Sequence, residues 1–143
     1  MTDIPGTTAA LGTPSPAPTT LGALRESGAA FRPVKAELRT NLLDRLGRGE
    51  PSLPGMVGFE DTVLPEVERA IIAGHDLVLL GERGQGKTRL IRTLVGLLDE
   101  WTPVLVGSEL NEHPLQPISV WAHRQIAEHG DATPVGWLHR SDR

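Results

Sequence analysis

Eight consecutive residues, Gly81-Glu-Arg-Gly-Gln-Gly-Lys-Thr88, constrain this chain more than any other stretch of it. They match the pattern G-x-x-x-x-G-K-[ST] at every fixed position. A short apolar run, Leu77–Leu80, stands immediately before them, and a stretch of helical periodicity, residues 87–99, begins within them. Each fixed residue has a chemical reason. Glycine allows positive φ and lets the backbone come close to an anion. Successive N–H groups turned inward, together with the positive end of the following helix, then cradle phosphate oxygens. Lys87 reaches the outer phosphates as a point charge, and the Thr88 hydroxyl is placed to ligate Mg²⁺. Four fixed positions recur by chance in roughly one chain per hundred of this length. The apolar run before the loop and the helix after it remove most of that chance. Arg83 within the loop and Arg89 just beyond it are further phosphate candidates, whereas Arg92 reads as solvated charge.

The surrounding pattern predicts an α/β fold. Leu77–Leu80 is too short for a helix and, being wholly apolar, predicts a strand covered on both faces, as in a parallel sheet. In residues 87–99 an apolar face forms from Leu90, Ile91, Leu94, Val95, Leu97 and Leu98, and Pro103–Val106 predicts a second strand. The three together make a β–α–β unit, which closes right-handed. Upstream, Pro33 fits a first helical position, and Val34, Leu38, Leu42, Leu43 and Leu46 predict an amphipathic helix over 33–46. Lys35, Glu37, Arg39, Asp44 and Arg45 fill its other, solvated face. A second helix is predicted over 62–73, with Asp61 or Thr62 as its cap, Pro65 in its first turn and Gly74 as its stop. Downstream, Ser119–His129 predicts a helix and Val135–Leu138 a short strand.

Composition bounds the rest. Sixteen glycines and twelve prolines in 143 residues imply that part of the chain does not pack. Residues 1–32 read as a flexible tail and linker, because the first twenty are Pro, Thr, Ala and Gly with almost nothing to bury. Residues 33–143 then form the folded part. A net charge of −4 argues against a dedicated nucleic-acid binder. The absence of cysteine excludes a disulfide framework, a thiol nucleophile and a sulfur-ligated zinc site. The five histidines have no metal-ligand spacing and read as surface residues, and Trp101, Trp121 and Trp137 as packing residues. No apolar run approaches the ~20 residues of a membrane helix, and the N-terminus lacks the basic and apolar regions of a signal peptide, so a cytoplasmic location is expected.

Two segments carry a family resemblance. Val57-Gly58-Phe59-Glu60 before the second helix, and Glu82-Arg83 inside the phosphate loop, resemble the AAA+ ATPases, and within them the magnesium-chelatase I-subunit and MoxR-like branch. The resemblance covers roughly residues 34–143. It implies a P-loop NTPase parallel sheet, with Val57 and Gly58 lining an adenine pocket. It further implies that Gly81, Glu82, Arg83, Gly84, Gln85, Gly86, Lys87, Thr88 and Arg89 hold ATP and Mg²⁺, with Lys87 in the catalytic role. Partners implied are further copies in a ring and a protein client, while run length and charge already argue against a membrane or a nucleic acid as partner. The family's Walker B acid, sensor, arginine finger and helical lid find no counterpart in these residues. The chain is therefore expected to be the N-terminal part of a longer protein, an incomplete AAA+ core that hydrolyses ATP only in its full form. Two other classes share a phosphate loop. A sigma-54-dependent regulator is ranked lower, because that type usually has Glu at the position of Thr88 and carries a GAFTGA loop. A small nucleotide or metabolite kinase is ranked lower for want of an Arg-rich lid and an acidic strand end.

Overall fold

The computed structural model describes residues 17–56, 58, 62–81 and 86–143. They divide into two compact units, one made of 17–31 with 101–143 and the other of Arg32–Glu100.

The first unit holds helix α1 (Leu21–Glu26), strand β1 (Trp101–Leu105), helix α5 (Val120–His129) and strand β2 (Val135–His139). β1 and β2 pair antiparallel, with Trp101 opposite His139, Pro103 opposite Trp137 and Leu105 opposite Val135. The other edge of β2 is met by the segment entering α1. Val135 N–H donates to the Thr19 carbonyl and Leu21 N–H to the Thr133 carbonyl, each at 2.9 Å. Thr20 caps α1 by accepting from Ala23 N–H at 3.2 Å. Leu21 and Leu24 are fully buried against Val135, with Leu115, Ile126 and Trp137 around them. The indole N–H of Trp137 donates to the Pro18 carbonyl at 2.9 Å. Residues 17–26 are thus packed structure and not the tail and linker that their composition suggests; residues 1–16 lie outside the described ones. The apolar pair Leu21 and Leu24 is enough to seat one helical turn once a sheet edge is offered to it.

The second unit holds α2 (Val34–Gly47), α3 (Val63–Ala73) and α4 (Lys87–Val95). Pro65 lies in the first turn of α3, where its lost N–H costs nothing. Gly74, at φ 71°, ends that helix in the left-handed conformation. Leu42, Leu53, Met56, Leu64, Val67, Ile71, Leu90 and Leu97 form the core. α4 stops at Val95 instead of running to Asp99, because Gly96 caps it and Leu97 turns inward to that core.

Among the described residues the predicted parallel sheet is not seen, and the sheet they form is the antiparallel pair β1–β2. The segment 75–80 is without regular structure, with Val78 80% and Leu80 87% exposed. The reason is one of partners. A strand is stable only when its N–H and C=O groups are paired, and among the described residues no strand pairs with 75–80. An exposed apolar segment with open edges promotes association. Val78→Lys or Leu80→Lys is therefore expected to lower concentration-dependent light scattering while changing stability by less than about 0.5 kcal/mol. A loss of several kcal/mol in thermal melts would show these side chains to be buried.

Candidate phosphate-binding site

The start of α4 carries the candidate site. Gly86 takes φ 80° as the residue before the helix, a conformation that only glycine adopts without strain. Leu90 N–H donates to the Gly86 carbonyl at 2.9 Å, the first backbone bond of the helix. The N–H groups of Lys87, Thr88 and Arg89 belong to the first turn of α4, where a helix supplies no partner of its own. Their dipoles add the positive end of the helix macrodipole. Lys87 folds back so that its ammonium group donates to the Gly81 carbonyl, spanning the two ends of the loop. Thr88 and Arg89 are exposed. The Arg89 carbonyl accepts from Thr93 Oγ1 at 2.8 Å, which steadies the middle of the helix.

The structure therefore brings Gly81, Gly86, Lys87, Thr88 and Arg89 together, while Glu82, Arg83, Gly84 and Gln85 lie outside the described residues. Val57 lies outside them as well. Gly58 is exposed at φ 91°. Beside the loop is a cleft of about 770 Å³ between α3, the segment 77–80 and the start of α4. Met56, Val63, Val67, Ala70, Leu77–Leu80 and Leu90 make it apolar, and Glu66 and Lys87 are the charged residues among those lining it.

Three acidic or basic groups that periodicity reads as solvated or unplaced have structural posts. Glu37 and Arg45, expected on the solvated face of α2, reach the far end of α4, and Glu37 is buried. Glu112, which follows β1, is 4% exposed. Its carboxylate accepts from Ile118 N–H at 2.7 Å, Ser119 N–H at 2.8 Å, Ser119 Oγ at 2.6 Å and Ser108 Oγ at 3.0 Å. Burial pushes this carboxyl up, but the bonds from Ser119, Ile118 and Ser108 outweigh it and hold it at about 2. A carboxylate so engaged organises the loop before α5 and has no lone pair directed at a metal.

Among the described residues no group of three or more His, Asp or Glu could hold a metal ion. His113 packs edge-on against Phe31 and His139 against Trp101, with ring centroids 5.2 and 5.0 Å apart. His75, His123 and His129 are exposed. No helix among the described residues is long and apolar enough to cross a membrane.

No family model matches the chain. No solved structure matches it either. Among curated proteins, a stretch of 53 residues is 43% identical to the hemin import ATP-binding protein HmuV of Nocardia farcinica. The match covers 37% of this chain and 17% of that protein.

Proposed function

We propose that the second unit is a P-loop module that binds ATP with Mg²⁺. The observation that carries this reading is the start of α4. There a positive-φ glycine opens the helix and the Lys87 ammonium donates to the Gly81 carbonyl, at the two ends of a segment whose sequence fits a polyphosphate-binding loop. The similarity to an ATP-binding protein supports the same reading. The exposed Thr88 hydroxyl would help hold a Mg²⁺ bound with ATP, and the ion would offset the negative charge of the phosphates. Lys87 would leave the Gly81 carbonyl for a phosphate oxygen, while the N–H groups of α4 hold the chain of phosphates in place. Val57 and Gly58 would border the base. Turnover needs, in addition, a carboxylate or polar group that orients water. β1 ends at Leu105 without such an acid, and Glu112 is engaged elsewhere. Binding is the activity assigned to these residues.

The finer reading is an AAA+ module of the magnesium-chelatase or MoxR-like type, working as a ring on a protein client. It is supported by Glu82-Arg83 in the loop and by the Val57–Glu60 box.

Calorimetry with ATP tests the proposal. Binding is expected to be Mg²⁺-dependent, and Thr88→Ala is expected to lose affinity with Mg²⁺ present and little with EDTA. An equal loss in both conditions would remove Thr88 from the metal site. No binding by the wild type, with or without Mg²⁺, would remove the assignment. A preference for ATP over inorganic triphosphate would support the adenine pocket.

A further inference from the structure

The far end of α4 is held by a ladder of side chains from α2. Glu37, Asn41 and Arg45 stand four residues apart, hence on one face of α2. Arg45 donates to the Gly96 carbonyl at 3.1 Å. Asn41 Nδ2 donates to the Leu97 carbonyl at 2.7 Å and to Asp99 Oδ1 at 3.0 Å. Glu37 Oε1 accepts from Asp99 N–H at 2.7 Å, and Arg32 pairs with the other oxygen of Asp99 at 2.5 Å. Helix ends leave carbonyl groups without partners, and water usually serves them. Here the carbonyls just past α4 are served by a neighbouring helix, with a guanidinium at the negative end of the dipole. Leu42, the next residue after Asn41, is fully buried in the core that includes Leu90 of α4. The ladder thus opposes both sliding and rotation of α4 along its axis.

α4 is nine residues long, about 13 Å, and is too short to bend appreciably. Its setting at one end therefore sets the other. We propose that Glu37, Asn41 and Arg45 are positioning residues for the phosphate site: by fixing the C-terminal end of α4 they fix where Lys87 and Thr88 stand. This rests on the reading of residues 81–88 as a nucleotide site. Asn41 is the central rung, because its amide group donates to both partners. An aspartate there would set an oxygen against the Leu97 carbonyl and the Asp99 carboxylate. Glutamine at position 37 would keep an acceptor for Asp99 N–H.

The test compares Mg²⁺–ATP affinity with amide exchange at Leu90 and Ile91 in the unliganded protein. Asn41→Ala and Asn41→Asp are expected to weaken binding about 5- to 10-fold and to speed exchange at both amides. Glu37→Gln is expected to stay within about twofold of wild type in both readouts. A core variant with a similar drop in thermal midpoint, such as Leu53→Ala, is the control, and it should bind ATP as wild type does. Should an Asn41 variant fail to fold, Arg45→Met takes its place. Equal losses in Leu53→Ala and Asn41→Ala would reduce the ladder to plain stability and overturn the proposal, as would wild-type affinity in both Asn41 variants. If the wild type binds no ATP, the nucleotide reading fails by itself. Exchange at Leu90 and Ile91 then decides the ladder, faster exchange in the Asn41 variants supporting it and unchanged exchange overturning it.

Discussion

Lys87→Ala is expected to weaken Mg²⁺–ATP binding by about 1.5–3 kcal/mol, roughly 10- to 150-fold. Lys87 is the lysine of the loop, and its ammonium already lies across the loop's two ends on the Gly81 carbonyl. Exchanging a neutral carbonyl for a phosphate oxygen replaces an ordinary hydrogen bond with a charge-assisted one. Alanine removes that gain and leaves the phosphate charge to the α4 amides and the metal. The side chain lies outside the core, so the thermal midpoint is expected to hold. Lys87→Arg keeps the charge, but its planar fork is longer and less compact than an ammonium, so only partial recovery is expected. Calorimetry at one fixed ionic strength separates these cases, because salt screens the exposed part of the attraction. Equal ATP affinity for wild type and Lys87→Ala would show that the loop is not the site.

The second large effect concerns stability. Glu112→Gln is expected to cost about 2–3 kcal/mol at pH 7, because the buried carboxylate accepts two hydrogen bonds at each oxygen and an amide replaces one of those oxygens with an NH₂ that cannot accept. The cost should shrink in acid. The native carboxyl is held at about 2, against 4.5 for the ordinary group, so between these values the unfolded chain binds a proton that the native one does not. The stabilisation is therefore complete above about pH 5 and is lost as pH falls toward 2. The remaining carboxylates titrate alike in both proteins, so the difference between wild type and Glu112→Gln isolates this group. Thermal melts at pH 7 and pH 2.5 provide the comparison. A difference of the same size at both values would mean that Glu112 is not held as a carboxylate.

What could be read from the sequence was what local spacing decides. α3 begins beside Thr62 and stops at Gly74 because a proline in the first turn and a left-handed glycine at the end are local demands. Ser119 caps α5 for a similar reason, its side chain accepting from Ala122 N–H. The pattern over Gly81–Thr88 stands out in the same way, since its glycines and lysine are set by contiguous spacing. Partners distant in sequence were not legible. An apolar run such as Leu77–Leu80 shows that a segment wants cover, but not whether any neighbour supplies it. Periodicity on α2 shows that Glu37, Asn41 and Arg45 share a face, but not that the face meets carbonyls past α4 instead of water. Leu21 and Leu24 are lost among prolines and threonines when composition is averaged, because one helical turn is too short to show a period.

The first unit is discontinuous in the chain: its opening segment, 17–31, meets its sheet only after all of Arg32–Glu100 has intervened. On a ribosome the contiguous unit emerges whole, and its contacts are close in sequence, which favours early folding. The opening segment must meanwhile wait, with Leu21 and Leu24 uncovered, until β2 is synthesised. The order of assembly is thereby dictated: helices α2 to α4 can form first, and β2, made later, ties the earliest described residues into place.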